Sequence, residues 1–354
     1  MRKITDYSAG FFDGKRVLVR VDYNVPLKEE KKGIMVDDDS RIRLSLPTLR
    51  FLTELGARVI LLAHLGQPEG GPDPKLSLFP VAKKLNELAF GIIGYKKKVL
   101  FCPKTTGGPA KNQAKEMEKG QILLLENLRF SSDEEKNSPV FAKKLAKLGH
   151  FYVNDAFSAS HREHASVVGL PQVLPSAAGL ALIKEVEELT KIVKKPTRPL
   201  VLVVGGIKED KLEFATKMIN WADQVLLGGL LPEKINSFPK LLKEKKVFAG
   251  RLQPDKQDLD KETLKDFIEI INQAKTVIFA GPVGNVDQGH WQGTRSLLEA
   301  AIKSGAFVVA GGGDTEAALT KLGLVDSINY IASGGGAMLD FLAKRTLPGI
   351  EVLQ

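Results

Sequence analysis

The sequence predicts an α/β protein with two doubly wound parallel sheets joined by a helix, bilobal with a central cleft. Short apolar runs of β-favouring residues alternate with amphipathic helical patterns. The alternation runs through the first half of the chain and is repeated in the second. Between the halves, residues 178–194 form an amphipathic stretch that is closed by Pro196 and Pro199.

Composition limits the class of protein but does not choose a function. The 354 residues are 43% hydrophobic and 26% charged, enough apolar content for more than one core. The net charge of +9 permits an anionic substrate, nucleic acid or a membrane surface as partner. Cys102 is the single cysteine, which fits a reducing compartment. The first residues lack the apolar core of a signal peptide, and no apolar run approaches the ~20 residues of a membrane span. We therefore expect a cytoplasmic protein without membrane segments.

The first half contains five predicted strands, at residues 16–21, 58–63, 98–102, 122–126 and 151–153. A helix is predicted after Asp39 or Ser40 as its N-cap, with Pro47 in the first turn and Gly56 as the stop. Further helices are predicted at residues 79–88 and 140–148. The continuous apolar run ILLLE at 122–126 is typical of a buried parallel strand.

Polar or cationic side chains follow four of these strands, and parallel strands end at one edge of a sheet. These side chains are Asp22, Asn24, His64, Arg129 and Arg162. The first two could equally form an Asx-type turn. Arg41 lies near a helix start, where the dipole disfavours a cation unless an anionic ligand is near. We predict a shared anion site at this edge.

Residues 151–166 (FYVNDAFSASHREHAS) are the most informative stretch of this half. A short strand opens into a loop with three potentially cationic side chains, His161, Arg162 and His164. Such a loop beyond a strand end favours a phosphate or carboxylate ligand. The alternative interpretation is an ordinary solvated loop.

The second half has predicted strands at residues 200–204, 224–227, 246–249, 276–280, 307–310 and 328–332. Its loops are rich in glycine, and two have the order strand, three glycines, helix. Gly311–Gly313 precede Asp314 and Thr315, in a position where exposed backbone N–H groups attract phosphate. Asp314 would repel phosphate without a cation, which indicates Mg²⁺, although Asp314 or Thr315 could also cap the helix.

The second such loop, Gly334, Gly335 and Gly336, has the same predicted geometry without a carboxylate. Neither a Walker A sequence nor G-x-G-x-x-G is present. Glycine loops in one half and an anion site in the other suggest phosphoryl transfer across a cleft.

Nine motifs, in this order, resemble those of the phosphoglycerate kinase family and cover nearly the whole chain. They are RVLVRVDYNVPL, DSRIR, AHLGQP, LLLENLRF, YVNDAFSASHREHAS, GGIKEDKL, FAGPVGNVD, GGGDTEAAL and SGGGAMLDFL, with LPGIEVL at the end. The set is far more specific than any single motif.

The resemblance implies two Rossmann-like domains: 1–174 for phosphoglycerate, with the tail 345–354 returning to it, and 199–344 for the nucleotide. A connecting helix would occupy 175–198. The implied activity is the glycolytic and gluconeogenic, Mg²⁺-dependent transfer of a phosphoryl group between ATP and 3-phosphoglycerate, giving ADP and 1,3-bisphosphoglycerate. A monomer is expected. Hinge-bending closure is also expected, because closure would exclude water and prevent hydrolysis of ATP.

The resemblance also assigns roles to residues. Arg41 and Lys211 would act on the transferred phosphoryl group. Phosphoglycerate would be bound by Asp22, Tyr23, Asn24, Arg41, His64, Leu65, Gly66, Gln67, Arg129 and Arg162. The nucleotide would be bound by Lys208, Lys211, Asp287, Gly312, Gly313, Asp314 and Thr315, with Gly334, Gly335 and Gly336 as a phosphate loop and Asp314 as the Mg²⁺ ligand.

Several positions depart from the family pattern. Gln67 stands where HLGRP has arginine, Ala280 where WNGP has asparagine, and Asp287 where a glutamate is usual. One residue is missing between Lys208 and Lys211, so either lysine can be aligned with the family's nucleotide lysine. The alternative function is a degenerate, non-catalytic binding protein on the same fold. A nucleic-acid binder is suggested by charge alone, and the sequence shows no recognition motif for it.

Overall fold

The chain divides into two compact units, each with its own parallel sheet. The computed structural model describes residues 1–31, 33–68 and 71–353. Unit 1 comprises Met1–Glu187 and Thr346–Gln354, and unit 2 comprises Glu188–Arg345. The division falls inside one helix, Leu180–Lys194.

Unit 1 contains a six-stranded parallel sheet and a two-stranded antiparallel ribbon. Its strands are β1 (Arg16–Arg20), β2 (Leu27–Glu30), β3 (Gly33–Val36), β4 (Arg58–Leu62), β5 (Leu100–Cys102), β6 (Ile122–Leu125), β7 (Phe151–Asn154) and β8 (Ser176–Ala178). The sheet order is β5-β6-β4-β1-β7-β8, and β2 pairs with β3. Its helices are α1 (Ser40–Glu54), α2 (Phe79–Ile93), α3 (Gly107–Glu116), α4 (Ser132–Glu135) and α5 (Pro139–Ala146). The helix that spans the division is α6 (Leu180–Lys194).

Strands of unit 1 are apolar because helices cover them. Val17, Val19 and Leu61 are fully buried in one cluster with Leu49 of α1 and Val81 of α2. Burial on both faces explains why these strands read as continuous apolar runs without alternation. The central position of β1, hydrogen-bonded to both β4 and β7, places its carboxyl end in the middle of one sheet edge.

Unit 2 repeats this design. Its strands are β9 (Leu200–Val204), β10 (Gln224–Leu227), β11 (Val247–Ala249), β12 (Thr276–Ala280), β13 (Phe307–Gly311) and β14 (Tyr330–Ala332), in the order β11-β10-β9-β12-β13-β14. Its helices are α7 (Asp210–Met218), α8 (Leu231–Lys234), α9 (Pro239–Leu242), α10 (Lys261–Gln273), α11 (Gln292–Lys303), α12 (Gly313–Leu322) and α13 (Gly335–Lys344). All named neighbours in this sheet are parallel.

The tail of the chain lies on unit 1. Its helix α14 (Pro348–Glu351) follows Leu347, which is fully buried. Gly349 donates its N–H to the Ser160 carbonyl at 2.8 Å, and its own carbonyl accepts from Asn154 Nδ2 at 3.0 Å. These bonds attach the tail to the loop that follows β7.

The fold class predicted from the sequence is confirmed, with local corrections. Pro47 lies in the middle of α1 rather than in its first turn. The antiparallel ribbon β2–β3 was not predicted. Part of the expected connecting helix is instead a strand, since Ser176–Ala178 pairs with β7. Three small residues carry no apolar periodicity, so only pairing with β7 reveals this strand.

Candidate functional site

The predicted anion-binding side chains of unit 1 lie at the carboxyl edge of its sheet, beyond β1, β4, β6 and β7. The strand order changes direction on either side of β1, and such a switch point is where open α/β sheets bind ligands. The polar side chains at this edge form two connected groups.

Asp22, Asn24 and Arg41 form the first group. Arg41 Nη1 donates to Asp22 Oδ2 at 2.7 Å, and the Asn24 N–H donates to Asp22 Oδ1 at 3.1 Å. The second bond is the Asx-type turn considered from the sequence, so that interpretation is correct for the backbone. Arg41 is 26% exposed and Asp22 10% exposed, which leaves the guanidinium accessible while it is held by the carboxylate.

Gly66 connects this group to Arg129. Asn24 Oδ1 accepts from the Gly66 N–H at 2.8 Å, and the Gly66 carbonyl accepts from Arg129 Nη1 at 2.7 Å. Arg129 is only 3% exposed, and burial lowers its pKa. Its Nε forms an ion pair with Glu135 Oε1 at 3.0 Å, but neither Nε nor Nη2 makes a hydrogen bond to the described residues. A buried, partly unsatisfied guanidinium is suited to bind an anion.

Arg20 and His64 form the second group, and Arg20 was missed from the sequence. It is 1% exposed, and its Nη2 lies 2.9 Å from His64 Nδ1. Burial and the charges of Arg20, Arg129 and Arg162 lower the pKa of His64 well below its usual range. The available signal was a cation at the carboxyl end of the strand RVLVR, directly after the apolar residues VLV.

The loop after β7 was expected to carry three potential cations, but its histidines do not all contribute charge. Burial, together with Arg129 and Arg20, lowers the pKa of His164 to about 3, so this ring is neutral at neutral pH. His64, also close to these arginines, is neutral for the same reason. Each added positive charge makes protonation of a neighbouring imidazole more costly. Beside His64 and His164, the positive charge therefore comes from arginines.

Three predicted positions differ from a simple ligand-binding role. Tyr23 is fully buried, with its hydroxyl 2.9 Å from Ser45 Oγ, and Leu65 is 2% exposed. Their side chains belong to the core, so only their backbones can face a ligand. Gln67 is exposed. Arg43, near Arg41 on α1, has a local counter-charge in Asp39, so its place near the helix start needs no ligand.

In unit 2 the two glycine loops contact each other. Gly312 has φ +113° and precedes α12, and a Cβ on Gly335 would lie 2.2 Å from the Gly312 Cα. Any side chain at position 335 would therefore separate the loops. The helix starts of α12 and α13 lie side by side as a result, with their first N–H groups available to phosphate.

Asp314 is exposed in the first turn of α12. The alternative that Asp314 or Thr315 caps this helix is wrong, because the N-cap is Gly312 and no side chain caps it. The Thr315 hydroxyl donates back to the Gly311 carbonyl at 3.2 Å. An exposed carboxylate beside a phosphate-binding helix start fits a Mg²⁺–nucleotide complex, since Mg²⁺ takes one or two protein carboxylates together with phosphate oxygens. Among the described residues no group of three or more potential metal-ligating side chains occurs.

Lys211 lies in the first turn of α7, the helix that follows β9, and reaches the end of β12; β9 and β12 are the two central strands of unit 2. Its Nζ donates to the Ala280 carbonyl at 2.9 Å, and burial lowers its pKa, with Asp210 and Asp314 acting in the opposite direction. Lys208 is exposed. Asp287 is also exposed, in a short 3₁₀ turn, Val286–Gln288. The structure thus brings Lys211 near Asp314.

The sequence matches the protein-family model "Phosphoglycerate kinase" over residues 6–240 and 240–345. A relative of that name from Koribacter versatilis is 38% identical over 96% of each chain, and one from Dictyoglomus turgidum is 39% identical over 96% of each. The chain belongs to the phosphoglycerate kinase family. Among solved structures, the phosphoglycerate kinase of Coxiella burnetii superposes with a TM-score of 0.79 at 30% identity, covering 99% of this chain and 98% of the other. That of Pyrococcus horikoshii gives 0.80 at 29% identity, covering 100% and 98%.

Membership of the phosphoglycerate kinase family makes the chain a phosphotransferase with a carboxyl group as acceptor. The alternative of a degenerate, non-catalytic protein receives no support from these matches. In the described part of the chain, no helix is both long enough and apolar enough to cross a membrane.

Proposed function

We propose that this phosphoglycerate kinase family member binds 3-phosphoglycerate at the arginine-rich edge of unit 1 and Mg²⁺–ATP at the glycine loops of unit 2. The observation that carries the proposal is Arg129, a buried guanidinium with unsatisfied Nε and Nη2 atoms that Gly66 connects to Asn24. A phosphate or carboxylate supplies the missing hydrogen bond.

Each side chain then has a physical role. Arg129 and Arg162 supply positive charge for the substrate anion, and Asn24 holds Arg129 through Gly66. Arg41 neutralises the transferred phosphoryl group, held in place by Asp22. Phosphoryl transfer needs such positioning and charge neutralisation more than covalent help.

On the nucleotide side, the N–H groups at the starts of α12 and α13 receive phosphate oxygens, and Asp314 holds the metal. Mg²⁺, when bound, would neutralise the phosphate charge that develops during transfer. Lys211, close to the same loop, adds a mobile positive charge. The exposed Asp287 is the proposed contact to the nucleoside.

A coupled assay with ATP, Mg²⁺ and 3-phosphoglycerate tests this function. We expect formation of ADP and 1,3-bisphosphoglycerate that depends on all three components. Binding of Mg²⁺–ADP and 3-phosphoglycerate without turnover would contradict the proposal and favour a non-catalytic binding protein. We also propose a monomeric, cytoplasmic protein that does not bind nucleic acid, which sedimentation and localisation experiments can test.

A further inference from the structure

A buried glutamate lies close enough to the anion site to interact with the charges of Arg20 and Arg129. Glu134, in the short helix α4 five residues after Arg129, is fully buried. Arg20 is 1% exposed and Ser166 is fully buried. Burying a carboxylate costs free energy unless the group is paired and hydrogen-bonded. The hydrogen bonds of Glu134 show which side chains it positions.

The three side chains form one directional chain of hydrogen bonds. Arg20 Nε donates to Ser166 Oγ at 2.9 Å, and the Ser166 hydroxyl and N–H contact Glu134 Oε1 and Oε2, the second at 3.0 Å. A guanidinium can only donate, so Ser166 Oγ accepts from Arg20 and directs its own proton to Glu134. The pKa of Glu134 is raised overall, because burial outweighs the charge of Arg20 and both bonds from Ser166, which lower it. Two donors facing the group favour the carboxylate form.

The same arginine determines which nitrogen of His64 carries the proton. Arg20 Nη2 lies 2.9 Å from His64 Nδ1, and Arg20 Nη1 donates to the Val21 carbonyl. Because arginine cannot accept, Nδ1 must be the acceptor, and a neutral imidazole then carries its proton on Nε2. His64 therefore presents one N–H donor and no positive charge.

We propose that Glu134 is a positioning residue for the substrate-anion site, which fixes Arg20 through Ser166 and thereby fixes the tautomer and orientation of His64. The inference rests on the proposed function, in which this edge of unit 1 binds 3-phosphoglycerate. It assigns a role at this site to Ser166, which hydrogen-bonds Arg20, and to Glu134, which acts through Ser166.

The first test uses the unmodified protein. ¹⁵N–¹H NMR of the imidazole rings, with His64 assigned by comparison with a His64→Asn variant, reports the protonated nitrogen directly. We expect the Nε2–H tautomer at neutral pH. An Nδ1–H tautomer or a charged ring would overturn the proposal, whatever activity the protein has.

Two variants then test the connection. Glu134→Gln removes the carboxylate charge with little change of shape, and Ser166→Ala removes only the linking hydroxyl. We expect both to disturb the His64 signal and to raise KM for 3-phosphoglycerate about tenfold or more, with KM for ATP unchanged and a smaller effect on kcat. Asp133→Asn, on the same turn as Glu134 and outside this chain of bonds, is the matched control and should behave as wild type.

A purely structural role for Glu134 would give a different result. Both folded variants would then melt at a lower temperature, but His64 would keep its Nε2–H tautomer and KM for 3-phosphoglycerate would not change. That outcome overturns the proposal. If Glu134→Gln does not fold, Ser166→Ala decides, because it keeps the charge of Glu134. Failure of the proposed function would appear separately, as wild-type protein without turnover but with the expected His64 tautomer.

Discussion

Arg41 and Arg43 show how much two neighbouring arginines on one helix can differ. Both lie in the first turns of α1, where the helix dipole disfavours a cation. Arg43 pairs with Asp39 and is 51% exposed, whereas Arg41 pairs with Asp22 at the anion site and is 26% exposed. The first is an ordinary surface ion pair of small energetic value. The Arg41–Asp22 pair holds the Arg41 guanidinium where a ligand can reach it.

Arg41→Ala should therefore lower kcat by at least ~100-fold without unfolding the protein, because it removes charge that matters most in the transition state. Arg43→Ala is the matched control and should change kcat little. Steady-state kinetics at saturating substrates measures both. Equal kcat values in the two variants would rule out the proposed role of Arg41.

Lys208 and Lys211 form a second pair that sequence alone left unresolved. Lys211 bonds to the Ala280 carbonyl in the centre of unit 2, and Lys208 is exposed. We predict that Lys211→Ala lowers kcat more than it raises KM for ATP, since a mobile point charge acts chiefly on the transferring group. Lys208→Ala should have the smaller effect in the same coupled assay. If Lys208→Ala is tenfold more damaging, the assignment of Lys211 is wrong.

Among the helices, α6 begins with backbone N–H groups that donate to a buried carboxyl group from outside the helix. Asp155, which follows β7, accepts hydrogen bonds from the Ala181 and Leu182 N–H groups at 2.9 and 3.4 Å. Burial raises the pKa of Asp155 to about 7. The carboxyl group thus connects the strand that leads to the anion site with the start of the helix that passes into unit 2.

The raised pKa of Asp155 predicts a pH dependence of stability. The unfolded chain releases this proton near pH 4 and the folded chain near pH 7, so between these values the folded state binds more protons. The free energy of unfolding should then fall as pH rises through this window, by at most about 1.4 kcal/mol per unit. Asp155→Asn should remove that component.

Urea unfolding of wild type and Asp155→Asn at several pH values from 4 to 8 measures this component. Trp221 and Trp291 both lie in unit 2, so their fluorescence follows that unit, and far-ultraviolet circular dichroism includes unit 1. Circular dichroism should show unfolding of unit 1 that fluorescence does not report. In that transition, the difference in free energy of unfolding between wild type and Asp155→Asn should change with pH. A constant difference would contradict the raised pKa.

At the scale of the complete chain, the two predicted substrate sites belong to separate compact units. The arginine-rich edge lies in Met1–Glu187, and the glycine loops lie in Glu188–Arg345. A substitution in one site should therefore leave ground-state binding at the other unchanged, although transfer needs both.

Asp314→Ala should abolish most Mg²⁺-dependent binding of ADP and leave binding of 3-phosphoglycerate as in wild type. Isothermal titration calorimetry with each ligand separately makes the comparison. Glu316→Ala, on the same helix turn, is the matched charge control. Unchanged affinity for Mg²⁺–ADP in Asp314→Ala would show that the carboxylate does not hold the metal.

The amino-acid sequence by itself determined the fold class, the parallel strands of both sheets except β8, and the edge at which Asp22, His64 and Arg129 lie. Strand and helix periodicity is local information, and a continuous apolar run in the sequence indicates a buried parallel strand. The order of the motifs was also enough to indicate the family, which the comparisons confirmed.

Only the tertiary structure decided what those side chains do to one another. Burial and neighbouring charges keep His64 and His164 neutral, Arg20 becomes part of the site through residues 44 and 146 positions away, and Gly335 must be glycine because Gly312 lies against it. Protonation, hydrogen-bond direction and close backbone approach depend on distances between residues that are far apart in the chain. No local pattern in the sequence contains those distances.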